Sequence, residues 1–285
     1  MTFKLSGNCT RSSCGVDKNA GTEDECEMKG AESKTKPGFF TADMVERRRM
    51  SSGYVSIDRL LGGGIEMGLT HLFYGTRGLH DDLLRFAVQA QLPNHKGGAD
   101  SPTIIIDSAN MIKIHRIRDH AFELGLEPED VMDRIYISRA FNASQTYDLV
   151  MNQLESFFDR VRARLLIVTG LPDLYISEGL TGEGLQQITH MATKLMTFTL
   201  KRGIATVISA PSSPRNARTP VGGKALASCA QVHVHVEESK MYIKYTLSKH
   251  PQYPVRRASR TKPVASGTTL PLSHFLNTEE NGKGD

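Results

Sequence analysis

One stretch has the position of a phosphate-binding loop but carries side chains that oppose its chemistry. The apolar run GLTHLFYG (68–75) leads into GTRGLHDDLLRF (75–86) and then a helix. A loop of the form G-x-x-x-x-G-K-[ST] belongs at such a junction: its amides cradle phosphates, its lysine reaches the β and γ oxygens, and its hydroxyl holds Mg²⁺. Counted from Gly75, His80 stands at the second glycine, Asp81 at the lysine and Asp82 at the hydroxyl, with Gly78 inside the loop. Taken alone, the stretch reads as an ordinary strand-to-helix turn. Two unit charges 4 Å apart at an effective dielectric near 20 interact by about 4 kcal/mol. Exchanging Lys⁺ for Asp⁻ therefore removes an attraction and adds a repulsion of that order, and Asp82 adds another. A helix N-terminus favours anions, so Asp81 and Asp82 are expected to take the electrostatic place of the phosphates and leave the loop stable when empty.

Other groups could bind metal. Cys9, Cys14 and Cys26 lie in a polar segment and could join a fourth zinc ligand, but their spacing matches no paired C-x-x-C pattern and they read as unstructured thiols. His233 and His235, at i and i+2 of an alternating strand, share one face. They read as a solvated face opposite Val232, Val234 and Val236 rather than as a metal pair.

The elements that must position these residues alternate. A helix is expected from Asp81 to Leu92, a strand at TIIID (103–107), a helix over 111–124 ending at Gly125, and a strand at RIYIS (134–138). A helix starts near Ser144 with Tyr147, Val150, Leu154, Phe157 and Val161 on one stripe. Further strands fall at ARLLIVTG (163–170) and GIATVISA (203–210), separated by a helix over 184–201. Continuous apolar runs such as TIIID fit strands covered on both faces. The fold class is α/β: a mostly parallel twisted sheet with helices on both faces, closed by an antiparallel hairpin over 231–248.

The chain has 285 residues, 39% hydrophobic and 23% charged, with mean hydropathy −0.31. That suffices for a full core without staples. No apolar run reaches about 18 residues, so no membrane span is expected, and the N-terminus lacks the apolar core of a signal peptide. Four cysteines do not make a disulfide scaffold, so a cytoplasmic location is the default. A net charge of +4 permits polyanion binding without arguing for it. Residues 1–36 read as a disordered polar segment, 37–50 as a linker, 51–255 as the core, and 256–285 as a disordered tail.

Beyond the loop, several stretches carry a resemblance: GFFTADMVERRRMSSGYVSIDRLLGGGIEMG (38–68), IIIDSAN (104–110), LGLEPEDVMDRIYISRAFNASQ (124–145), LLIVTGL (165–171) and TPVGGKALASCA (219–230). From about Phe39 to Pro254 the chain resembles the archaeal RadA recombinases of the RecA superfamily. The resemblance implies a RecA-like ATPase core and places the missing parts. The glutamate that activates water falls on Ala109, the Mg²⁺-supporting aspartate on Thr169, and the γ-phosphate sensor near Pro211. With Asp81 at the lysine position, the implied site is degenerate: no catalytic residue, no ATP or Mg²⁺, and no ATPase activity.

It also implies surfaces. Phe39 and Ala42 match the family's F-x-x-A polymerisation motif, in which a linker adds a strand to a neighbour's sheet and fills two pockets; Phe39 packing on its own core is the alternative. The second DNA loop corresponds to 212–224 and keeps Arg215, Arg218 and Lys224, suited to nonspecific phosphate contact or simply solvated. The first loop, around Ile176 to Gly184, is acidic through Glu178 and Glu183. In the tail, Leu272, Phe275 and Leu276 resemble a peptide that plugs the sliding clamp, although Thr269 and Pro271 depart from its pattern. Packing on the protein's own surface, or no role, are the alternatives. The leading expectation is a catalytically inactive RadA paralogue that docks on RadA as an accessory protein in recombination and repair. An ATP-dependent recombinase with a divergent site and a RecA-like signalling module are the competing readings.

Overall fold

The computed structural model describes residues 48–262, except positions 77 and 215 and the side chain of Ala225. The N-terminal segment, Phe39, Ala42, Arg215, the three cysteines Cys9, Cys14 and Cys26, and the peptide with Leu272, Phe275 and Leu276 lie outside the described residues.

The apolar runs become the centre of one sheet. Strands β3 (Thr70–Gly75), β4 (Thr103–Asp107), β5 (Ile135–Arg139), β6 (Leu165–Thr169), β7 (Ala205–Ser213) and β9 (Val232–Glu238) run parallel in the order β9-β3-β7-β6-β4-β5. Strand β8 (Asn216–Pro220) pairs antiparallel with the end of β7. Strands β10 (Tyr242–Lys249) and β11 (Arg256–Thr261) extend the β9 edge antiparallel. A separate two-stranded ribbon joins β1 (Arg49–Met50) to β2 (Ile65–Glu66). The expected mostly parallel sheet with a C-terminal antiparallel hairpin is observed.

Helices cover both faces because every central strand is apolar on both. On one side, α1 (Val55–Leu61), α2 (Leu79–Gln89), α3 (Ile114–Glu123) and α4 (Pro128–Asp133) enclose a core that includes Phe73, Phe86, Ile105, Ile167 and Val234. On the other, α5 (Ala143–Asp148), α6 (Leu154–Arg160), α7 (Asp173–Ser177), α8 (Gly182–Arg202) and α9 (Gly223–Cys229) enclose Leu72, Ile104, Ile106, Leu166, Val168 and Leu195. Alternation along β4 sends Ile105 to one core and Ile104 and Ile106 to the other. Asn142 caps α5 by accepting from the Gln145 N–H at 2.7 Å, and Thr181 caps α8 by accepting from Gly184 at 3.1 Å. The stripe expected as one helix is interrupted by a π-helical turn, Leu149–Gln153, which rotates Phe158 inward and leaves Phe157 half-buried.

Three expectations are corrected. Residues 256–261, read as the start of a tail, form β11, because alternate side chains reach the sheet's covered face. The 212–224 stretch is no irregular loop: it is the β7–β8 hairpin followed by α9, with Arg218 on β8 and Lys224 on α9, both exposed. His233 and His235 are buried rather than solvated; the Tyr74 ring lies 5.1 Å from that of His235, stacked. Among the described residues no group of three or more His, Cys, Asp or Glu side chains is gathered to hold a metal, and no helix is long and apolar enough to cross a membrane.

Candidate functional site: the strand-to-helix cleft

Strand β3 ends at Gly75, where the chain turns sharply. Its φ is +140°, and a Cβ there would meet the Val236 carbonyl oxygen at 1.9 Å, so only glycine fits. The Thr76 N–H donates to that same carbonyl at 3.1 Å. Gly78 follows, and its N–H donates to the carboxylate of Glu238, at the end of β9, at 3.1 Å. A backbone amide facing into such a loop is what a phosphate would use; here a side-chain anion of the same chain uses it. Lys262 neutralises Glu238 at 2.5 Å.

The cleft beyond the loop holds about 550 Å³ and is lined in part by His80, Asp81, Ala109, Arg116, Glu238 and Arg260. The structure thus brings Gly78, His80, Asp81 and Ala109 together. Asp82 and Thr169 do not line this cleft.

Asp81 and Asp82, both in the first turn of α2, diverge. Asp81 faces the cleft and is held from α3: Arg116 donates from Nε and Nη2 to its two oxygens, each at 2.7 Å, and His120 Nε2 lies 3.2 Å away. Burial raises the Asp81 carboxyl, but the hydrogen bonds and charges of His120 and Arg116 outweigh it and hold the group well below the usual carboxylate range. Asp82 turns into the core and is fully buried. It accepts from the Tyr245 hydroxyl of β10 at 2.7 Å and pairs with the Arg260 guanidinium of β11, which also lies over the Tyr54 ring at 4.4 Å. Burial pushes the Asp82 carboxyl up, to about 6, against the pull of Arg260. The expectation that both aspartates stand in for phosphates is therefore corrected. Asp82 lies outside the cleft, and the anion on the loop amide is Glu238.

At the far wall, Asp107 ends β4 fully buried. It accepts from the Thr169 hydroxyl at 2.7 Å and from the Met111 N–H at 3.2 Å, with Arg139 at 3.4 Å. The Thr169 hydroxyl is thus spent on a neighbouring strand. Ala109 presents only a methyl to the cleft, and it packs so close to Gly170 that a Cβ on that glycine would meet it at 2.6 Å. In the acidic stretch before α8, Glu178 accepts from the Ala143 N–H at 2.8 Å and so has a structural role.

Sequence reasoning missed Arg116, His120, Glu238, Tyr245 and Arg260. Arg116 and His120 did carry a signal, because two basic side chains at i and i+4 share a helix face. Glu238 and Arg260 carried none, being brought in over separations of 160 and 178 residues.

The Rad51 family profile matches residues 45–255. A DNA repair protein RAD51 from Mycosarcoma maydis is 30% identical over 223 residues, covering 71% of this chain and 66% of its own length. The chain therefore spans just under two thirds of that relative.

Proposed function

The chain belongs to the Rad51 family, a RecA-like recombinase family, and from that premise we propose that it serves homologous recombination and DNA repair as a catalytically inactive accessory member. The observation that carries this reading is the Gly78 N–H held by Glu238 beside an Asp81 clamped by Arg116. An incoming triphosphate would have to displace one carboxylate and approach another, at a position where a lysine should attract it. Mg²⁺ would find Thr169 already bonded to Asp107, and Ala109 cannot activate water. These residues do not fit a bound Mg²⁺–nucleotide.

The accessory role is carried by other surfaces. Phe39 and Ala42 dock on a RadA-type recombinase protomer in the F-x-x-A mode, and Arg215, Arg218 and Lys224 add weak, sequence-independent DNA contact. Calorimetric titration with Mg²⁺–ATP tests the inactive site. No binding is expected near physiological concentration, and micromolar, Mg²⁺-dependent binding overturns the reading. Capture of the recombinase of the same cell tests the accessory role.

A further inference from the structure

The opposite end of the sheet carries a charge cluster that the nucleotide-like cleft does not use. Arg164 immediately precedes β6, Arg202 ends α8 just before β7, and Arg48 immediately precedes β1. With Arg162 they line an open cavity of about 1080 Å³. Strands β6 and β7 are neighbours, pairing from Leu165 and Ala205, so Arg164 and the end of α8 that carries Arg202 lie at the same end of the sheet. The loop at Gly75 lies at the other end of the sheet, some five residues or about 17 Å along the strands.

Among the described residues these charges are only partly balanced. Arg202 is paired with Asp159 at 2.7 Å. Among the described residues, no carboxylate lies within 4 Å of Arg48, Arg162 or Arg164. Asp100, on the rim, faces Arg134 at 3.8 Å instead. Arg164 is nonetheless positioned: its Nη1 donates to the Ala99 carbonyl at 3.2 Å, and its N–H donates to Ser101 Oγ at 2.7 Å. Like charges held together without partners are unfavourable unless an anion joins them.

The chemistry of the lining selects the anion. Guanidinium groups pair bidentately with phosphate. A protein partner would seek a buried apolar anchor pocket, but the one aromatic ring in the wall, Phe158, is only 5% exposed and belongs to the core. The same absence of an exposed ring leaves nothing for a base to stack on. An open cleft of about 1080 Å³ with these four arginines on its wall suits an extended chain of phosphates.

We propose that the Arg48–Arg162–Arg164–Arg202 cleft binds the phosphate backbone of nucleic acid, independently of sequence and of the nucleotide-like cleft. This extends the accessory reading, which ATP titration and recombinase capture test separately.

The test is fluorescence anisotropy of a labelled mixed-sequence DNA duplex with the full chain, across a salt series. Arg162→Ala with Arg164→Ala should weaken binding at low salt and make the log–log salt slope shallower by about 2, at roughly 0.9 for each phosphate no longer neutralised. Arg48→Gln with Arg162→Gln, both exposed and without carboxylate partners among the described residues, should do the same and guards against misfolding of the first pair. Unchanged affinity and slope in a variant with wild-type melting temperature overturns the proposal. So does polyglutamate binding with the same arginine dependence while the duplex does not bind. Failure to capture a recombinase while the slope change persists would count against the accessory role alone.

Discussion

Arg116 grips both carboxylate oxygens of Asp81, each at 2.7 Å, across the gap between α2 and α3. The charge that would repel a phosphate is thereby locked, fully ionised, into a bidentate pair. Asp81 is not a vacancy where a lysine used to be. It is one half of an internal contact, and reversing it alone leaves the other half behind.

Restoring the consensus should therefore fail. Asp81→Lys with Asp82→Thr puts a lysine beside Arg116 and strips Arg260 of its carboxylate. We expect a lower melting temperature and no recovered Mg²⁺–ATP binding by calorimetry. Micromolar binding by this variant would show that the loop amides remain available despite Glu238.

The Asp82–Arg260 pair should behave as a unit. Removing one partner of a buried ion pair commonly costs about 3–5 kcal/mol, because the other is left uncompensated, whereas replacing both by apolar groups is often near neutral. Urea denaturation of Asp82→Leu, Arg260→Met and the double variant should give a double-variant loss well below the sum of the singles. Strict additivity would mean that the two groups do not depend on each other.

His71 should contribute stability that rises with pH. Burial lowers this imidazole from 6.5 to about 4. Between these values the unfolded chain binds the proton and the folded chain does not, so the His71 contribution climbs as pH rises from about 4 and levels off above 6.5. Asp82, raised to about 6, acts in the opposite sense over part of this range, so the measured quantity is a difference: chemical denaturation at a series of pH values should give a wild-type curve that gains more stability with rising pH than that of His71→Gln.

Phe39 should anchor the recombinase contact. Loss of a buried aromatic anchor commonly costs about 2 kcal/mol or more, so Phe39→Ala is expected to weaken the complex at least about thirtyfold. Intact binding with a lowered melting temperature would instead assign Phe39 to the protein's own core.

The contribution of residues 212–224 to DNA binding should be small. Three cations, Arg215, Arg218 and Lys224, supply a log–log salt slope of about −2 to −3. Arg215→Ala with Arg218→Ala should weaken binding uniformly across sequences. A salt-insensitive, sequence-specific complex would exclude the assignment.

What the sequence revealed follows from range. TIIID and LLIVT were legible as central strands because both their faces are buried, which leaves an uninterrupted apolar run. The loop at Gly75 was legible because its geometry is local. RRASRT (256–261) was not, because an edge strand needs only one covered face, and Arg260 reaches a carboxylate that no local pattern reveals. His233 and His235 misled because alternation marks a strand's two faces without saying that Tyr74 lies against one of them. Glu238 lies outside any motif around the loop it occupies; only the pairing of β9 beside β3 brings it there.

The Asp82–Arg260 contact also bears on how the chain is made. The two residues are 178 positions apart, and translation proceeds at roughly 5–20 residues per second, so Asp82 waits about 10–35 seconds for its counterion to be synthesised. During that interval α2 carries an acid that must stay in water or stay protonated, and β10 has no partner on its outer edge. The core beneath α1 also takes Val234 of β9 and Tyr245 of β10, so it is completed only when those strands leave the ribosome. A ribosome stalled short of codon 260 would present a soft, protease-sensitive intermediate, so β11 acts as the latch on this buried acid.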